Sequence, residues 1–156
     1  MSEQHENLTG TRFPPPILGL IHLLAAFLLG WILPLPLPAP AWLALLGAVI
    51  VVAGLVLGGW AINLFRRAQT TLDPHGGTNR LVDSGPYRFT RNPIYLANVC
   101  FLAGFPLIIH DYWGLILAPL LIFVTNKLVI EGEEAYLARQ LGQPYLDYKS
   151  RVRRWL

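Results

Sequence analysis

Four stretches of this chain contain no Asp, Glu, Lys or Arg: 17–33, 41–64, 94–109 and 113–126. Nothing else in the sequence constrains the fold as strongly. An apolar run of roughly 17–25 residues is long enough for a helix to cross the bilayer core, and only a helix or a closed barrel satisfies every backbone N–H and C=O there. Segment 41–64 reaches that length alone, while the others need flanking residues or a locally thin span. The chain as a whole is 54% hydrophobic and 13% charged, about half the charged share of ordinary soluble domains. The expected fold class is all-α: a polytopic helical membrane protein with about four transmembrane helices.

The charges outside these runs orient the spans. Arg66, Arg67, Arg80, Arg88 and Arg91 lie between the second and third runs, and Lys127, Arg139, Lys149, Arg151, Arg153 and Arg154 follow the fourth. The Pro34–Pro40 loop and the His110-Asp111 turn carry no Lys or Arg. The positive-inside rule then places both termini and the central loop in the cytoplasm, with an even number of spans. The net charge of +3 is a topology signal on this reading and gives no reason to expect nucleic acid. Glu3 and Glu6 beside Arg12, and the prolines after residue 33, argue against a cleaved signal peptide, which needs a basic start and a small-residue cleavage site. The single cysteine, Cys100, excludes an intramolecular disulfide and a cysteine metal cluster, and no metal is expected.

Residues 1–12 read as a loose polar segment. Pro14-Pro15-Pro16 should start the first span, since proline suits a first helical turn. Gly54 and Gly58 form a small-xxx-small pair that invites close approach of another helix. Residues 65–93 read as a long polar loop with turn signals at Asp73-Pro74, Gly76-Gly77 and Ser84-Gly85-Pro86; a loop of that length is functional or disordered, and Tyr87, Phe89 and Tyr95 argue against disorder. The short His110-Asp111 turn makes 94–109 and 113–126 an antiparallel helical hairpin, with Tyr112 and Trp113 suited to a membrane interface. The fourth helix should run on through Glu131–Leu141 and end at Gly142, with a last helix from Pro144 to about Val152. The chain reads as one membrane domain, 1–156, with an N-terminal helix pair at 13–64 and a core at 65–156.

Two polar clusters adjoin the inner ends of the hairpin: GPYRFTRNPIY at 85–95 and EGEEAYLARQLGQPYLDYKSRVRRW at 131–155. The order Leu81-Val82, Gly85, Tyr87, Arg91-Asn92-Pro93 and Tyr95, then a hairpin, then Glu133-Glu134, Leu137, Gly142, Tyr145, Tyr148, Val152 and Arg154 resembles the isoprenylcysteine carboxyl methyltransferase and phospholipid methyltransferase superfamily. The resemblance covers about residues 60–156. Asn92 stands where the eukaryotic prenylcysteine enzymes have His, Arg153 where they have Pro, and Asn79 where they have His. Those departures resemble a prokaryotic-type branch and count against a prenylcysteine substrate.

The resemblance implies a cytoplasmic site for S-adenosyl-L-methionine and a small or lipidic methyl acceptor (carboxylate, amine or thiol) reached from the lipid bilayer. It places Leu81, Gly85, Tyr87, Asn92, Pro93, Tyr95, Glu133, Glu134, Tyr145 and Arg154 around the cofactor, and Arg91 and Glu134 at the chemistry. Carboxylates can accept hydrogen bonds from a ribose diol or an ammonium, an arginine fork can take a carboxylate, and aromatics can cover adenine. Arg91 either anchors its loop or acts on the substrate, and Arg154 closes the pocket. In-line attack on a methyl group needs alignment and exclusion of water more than acid–base chemistry.

Plainer readings stand beside these. Glu131, Glu133 and Glu134 also fit a solvated helix face, with Lys127–Glu131 an i,i+4 pair. The resemblance outweighs that for Glu133 and Glu134 but not for Glu131. Arg88 fits a headgroup anchor, Arg151 and Arg153 fit topology signals, Tyr145 and Tyr148 fit an interfacial belt, and His22 fits a hydrogen-bonded helix contact. Two rival functions are a haem-binding electron carrier using His22 and His110, which opposite depths in the membrane disfavour, and a small transporter, which would want an ionisable residue in mid-membrane. The oligomeric state is left open.

Overall fold

Proline and glycine punctuation sets the helix ends. In the computed structural model, which describes residues 15–35, 38, 40–68 and 81–156, α1 spans Pro15–Ile32 and α2 Ala41–Arg67, directly after Pro40. A single 3₁₀ turn at Gly85–Arg88 precedes α3, Pro93–Ile109, which has proline in its first turn. Then come α4 (Trp113–Thr125), a wide turn of π geometry (Asn126–Ile130), α5 (Glu131–Leu141) and α6 (Gln143–Arg151). The turn signals at Asp73-Pro74 and Gly76-Gly77, together with His75, Asn79, Arg80 and the segment 1–14, lie outside the described residues. The long loop begins later than expected, because α2 continues past residue 64 to Arg67.

Two described helices are long and apolar enough to cross a membrane, Ala41–Arg67 and the continuous Trp113–Leu141, while Ile17–Ile32 and Pro93–Ile109 are shorter apolar helices. Their outward faces are apolar too: Leu20, Leu24, Phe27, Leu45, Val52 and Phe123 are all exposed. So much contiguous exposed apolar surface suits lipid and would be unstable in water.

α3 sits centrally, packing most extensively on α2 and also on α4 and α1, while α1 leans on α4. The α2–α3 seam is set by small residues. A Cβ on Gly104 would lie 2.7 Å from Gly47 O and 2.8 Å from Val51 Cγ2, and one on Gly54 2.8 Å from Cys100 Cβ. The backbones are therefore closer than any larger residue allows, as the Gly54/Gly58 spacing predicts. Gly104→Ala should cost roughly 1–3 kcal/mol by overpacking, read as a lowered thermal midpoint in detergent. An unchanged midpoint would show that the seam can open freely.

The hairpin turn is closed by His110, at φ 56° in the left-handed region, and by Trp113 N donating to Asp111 Oδ1 at 3.1 Å. Tyr112 Oη donates to Pro38 O at 2.6 Å and Trp113 Nε1 to Leu33 O at 2.8 Å, tying the α1–α2 connection to the hairpin tip. His22 makes the expected helix contact, its Nε2 lying 3.3 Å from Gly114 O. The hairpin turn lies beside Gly30, eight residues further along α1 than His22, where a Cβ on Gly30 would lie 2.8 Å from Asp111 Oδ1. The haem reading is further weakened because this ring nitrogen of His22 is already engaged by backbone.

Candidate cofactor site

The 85–95 loop, α5, α6 and the segment 152–155 converge beside the same ends of α2 and α3. Gly85 makes this possible: its φ is +59°, and a Cβ there would lie 2.6 Å from Leu64 Cδ1. No other residue would turn so tightly against α2. Pro93 is buried at the start of α3. Gly142, with φ +60°, ends α5 as expected, and α6 folds back across the loop.

Three groupings result. The first is aromatic. Tyr87, Tyr145 and Tyr148 are buried together with Ala61, and Leu81, Val82, Leu64 and Phe65 pack around them. Tyr148 Oη donates to Tyr87 O at 2.8 Å. Burial raises all three phenols above their ordinary value, Tyr145 to about 12, so each stays a neutral donor near neutral pH.

The second grouping is a charged hub on Glu134, whose side chain is 5% exposed. Arg91 Nη2 donates to its Oε1 at 2.9 Å, Arg154 donates to both oxygens at 3.0 and 2.9 Å, and Lys149 Nζ lies 3.0 Å from Oε2. Burial alone would raise this carboxyl, but hydrogen bonds from Arg154, Arg91 and Lys149 override it and hold it at about 2. The same hub raises Arg154 further. Arg91 Nη1 also donates to Lys149 O at 3.0 Å and to Val152 O. One donor is left over: Arg91 Nε is buried with no partner among the described residues.

The third grouping pairs Tyr95 with Glu133, Tyr95 Oη donating to Glu133 Oε1 at 2.8 Å. Val129 and Ile130 are buried beside Tyr95, with Leu18 and Trp155 against them. Burial raises the Glu133 carboxyl, opposed by that hydrogen bond. Two neighbours on one helix therefore respond to pH in opposite senses. Glu134, depressed, adds stability that is complete above 4.5 and is lost as pH falls toward about 2. Glu133, raised, favours the folded state at low pH and loses that contribution as pH climbs past 4.5. Acid titration of the thermal midpoint from pH 4.5 to 2 should show a drop in wild type that is flattened in Glu134→Gln. Parallel curves would mean Glu134 does not dominate acid stability.

A strap closes the arrangement. Residues 152–155 lie along the 90–92 segment: Arg91 N donates to Arg153 O at 2.9 Å, while Thr90 Oγ1 and Asn92 Nδ2 both donate to Arg154 O at 3.0 Å. Trp155 Nε1 donates to Asn126 Oδ1 in the π turn at 3.1 Å.

All the residues singled out from sequence thus lie in this region, but in separate groupings. Leu81, Tyr87 and Tyr145 share the aromatic cluster, Arg91, Glu134 and Arg154 the hub, and Tyr95 and Glu133 their own pair. Asn92 is held by the strap backbone, and Gly85 and Pro93 shape the chain. Glu131 is exposed and paired with Lys127 at 2.8 Å, as expected, and it also reaches the edge of the hub, its Oε1 lying 4.0 Å from Arg154 Nη1. Sequence reasoning left four contributors out of the site: Lys149, Thr90, Trp155, and Tyr148, which stands in the motif and also fitted an interfacial belt but is buried. Tyr145, Tyr148 and Lys149 stand at i, i+3 and i+4, one helix face, and that spacing was the available signal for two of them. Thr90 and Trp155 act through long-range contacts that leave no local trace.

A stretch of 63 residues is 33% identical to an uncharacterized protein of Haemophilus influenzae, covering 40% of this chain and all of that protein. No solved structure matches. The family model for phospholipid methyltransferases matches residues 42–144, from the start of α2 through the loop, the hairpin and α5 to the start of α6. With apolar helices, two of them long enough to span a bilayer, and this match over most of its length, the chain belongs to the phospholipid methyltransferase family and is a membrane methyltransferase.

Proposed function

We propose that the chain transfers a methyl group from S-adenosyl-L-methionine to a small or lipidic nucleophile that arrives from the bilayer. The observation that carries this reading is the Arg91 guanidinium, 10% exposed, with a buried donor to spare at Nε. A buried donor without a partner costs about 1–3 kcal/mol, and the carboxylate of an amino-acid tail is a fitting acceptor. Arg91 would hold that carboxylate, Asn92 the same polar end, and Tyr87 and Tyr145 the adenine. Glu134 already accepts from three cations, so its part is to orient Arg91 and Arg154. When bound, the sulfonium supplies an electrophilic methyl. The protein aligns the acceptor with it and keeps water out.

The membrane arrangement belongs to the same proposal. Four helices cross, the two shorter ones in a locally thinned bilayer, and Lys149, Arg151, Arg153 and Arg154 lie on the cytoplasmic side with the cofactor. Two measurements test it. Calorimetry should find S-adenosylhomocysteine bound by wild type and at least about tenfold more weakly by Arg91→Ala, the cost expected for about 1.4 kcal/mol. Labelling a cysteine at position 149 should fail with an impermeant reagent from the outer face. No binding by wild type, or an outer-face label, would sink the corresponding half.

A further inference from the structure

The donor that suits a carboxylate is sealed. Arg91 Nε is buried with no partner among the described residues, and the side chain as a whole is 10% exposed. Its Nη1 is covered by two carbonyls, Lys149 O at 3.0 Å and Val152 O, and its Nη2 by Glu134. An acceptor from outside therefore meets Nε only after a covering element has moved. α6 is a poor candidate for that movement, since Tyr145 and Tyr148 bury it in the aromatic cluster. The strap 152–155 is a better one. It is joined to the loop by a single bridge, Thr90 with Arg153, and not by a ladder. Val152, where α6 ends, is extended, at φ −114° and ψ 131°, and packs on the aromatic cluster, which makes it a natural pivot.

Beyond that pivot the strap is held mostly by polar contacts. Arg153 is exposed and takes part through its backbone. Arg154, with 31% of its side chain exposed, forks onto Glu134 and offers its carbonyl to Thr90 and Asn92. Trp155 is the one apolar hold, packed beside Tyr95, Val129 and Ile130. Segments tied by solvent-accessible hydrogen bonds and little apolar burial are the ones that open locally. Charge decides where the strap rests. When it is closed, Arg91, Lys149 and Arg154 share the single carboxylate of Glu134, and Glu131 is 4.0 Å from Arg154 while already holding Lys127 at 2.8 Å. Closure thus brings Arg154 into an excess of positive charge. A carboxylate at Arg91 supplies negative charge to that excess and favours the closed strap over the open one, and such differential affinity is what lets a ligand shift a conformational equilibrium.

We propose that the 152–155 strap is a carboxylate-triggered lid: it swings about Val152 to uncover Arg91, and closes and latches through the Arg154–Glu134 fork when a ligand carboxylate sits against Arg91. This rests on the methyltransferase reading above, in which that carboxylate belongs to the amino-acid tail of the cofactor. The lid reads the tail and not the adenine, because every cation it gathers lies in the charged hub and none in the aromatic cluster. Opening is then required both for loading and for release, so the strap sets the rate of exchange at the site as well as its affinity.

Two measurements on the whole protein in detergent test this. The first is hydrogen exchange at the Arg91 amide, which donates to Arg153 O and so reports the strap directly. S-adenosylhomocysteine should slow it at least about tenfold, while 5′-methylthioadenosine, which lacks the amino-acid tail, should leave it within about twofold. Equal slowing by both ligands overturns the carboxylate trigger, and no slowing by bound S-adenosylhomocysteine overturns the lid. The second locks the strap. In a Cys100→Ser background, Thr90→Cys with Arg153→Cys places one thiol on each side of the bridge, close enough for a disulfide. Protein oxidised before loading should take up S-adenosylhomocysteine at least about 100-fold more slowly than the same protein reduced, and protein oxidised after loading should release it about 100-fold more slowly, as for a gating lid. Uptake and release at the reduced rate in the oxidised protein overturn the lid. Failure of wild type to bind S-adenosylhomocysteine at all is the separate result that removes the underlying reading, and this inference with it.

Discussion

Glu134→Gln is expected to lower the thermal midpoint by about 6–12 °C and to abolish measurable methyl transfer. Removing one member of a buried ion group leaves the others uncompensated, at a cost of about 3 kcal/mol or more, which corresponds to that shift in a chain of this size. The buried partner is what makes the effect large. Arg91 is 10% exposed and loses its only carboxylate among the described residues. Lys149 is 41% exposed, so Lys149→Ala should cost under about 1 kcal/mol, as for surface pairs. Differential scanning fluorimetry of the two variants side by side checks both the size and the order. Equal, small shifts would mean that the hub contributes no more than a surface network.

The second large effect is expected from ending the chain after Arg151. Removing 152–156 takes away the carbonyl acceptors of Arg91 N, Thr90 Oγ1 and Asn92 Nδ2, the fork from Arg154 to Glu134, and the Trp155–Asn126 bond. At roughly 1 kcal/mol net per bond, the loop carrying Arg91 and Asn92 loses most of what fixes it. S-adenosylhomocysteine binding should fall at least about 30-fold, and the Gly85–Asn92 amides should exchange hydrogen much faster. Trp155→Ala alone removes one of these bonds and should lose less than about fivefold. Binding retained at wild-type strength after truncation would show that the strap is not part of the site. The family match ends at residue 144, so the strap is a feature of this chain that the match does not cover.

Much of this was readable in advance because the physics is local. Absence of charge over long runs dictates helices in lipid; Pro93 and Gly142 mark helix ends through φ alone; Gly54 and Gly58 announce a close seam; and two polar clusters on either side of a hairpin must meet. Glu131 could be set apart from Glu133 and Glu134 only through the family resemblance.

What the tertiary structure decided is which partner each polar side chain meets. Glu133 and Glu134 are neighbours in sequence, but successive residues on a helix point about 100° apart, and nothing local says which direction holds cations and which a phenol. The π turn at Asn126–Ile130 sets that direction by widening the helix just before α5, and its residues carry no composition signature for it. The strap is equally invisible, since its bonds run from backbone carbonyls of 152–154 to residues some sixty positions earlier. Sequence periodicity also fails in a lipid-facing bundle, where the outer face is as apolar as the core. The sequence by itself determined the helices and the residues that gather at one end of them. Packing of α5, α6 and the strap against the 85–95 loop divided those residues into a charged hub, an aromatic wall and a proton-bearing pair.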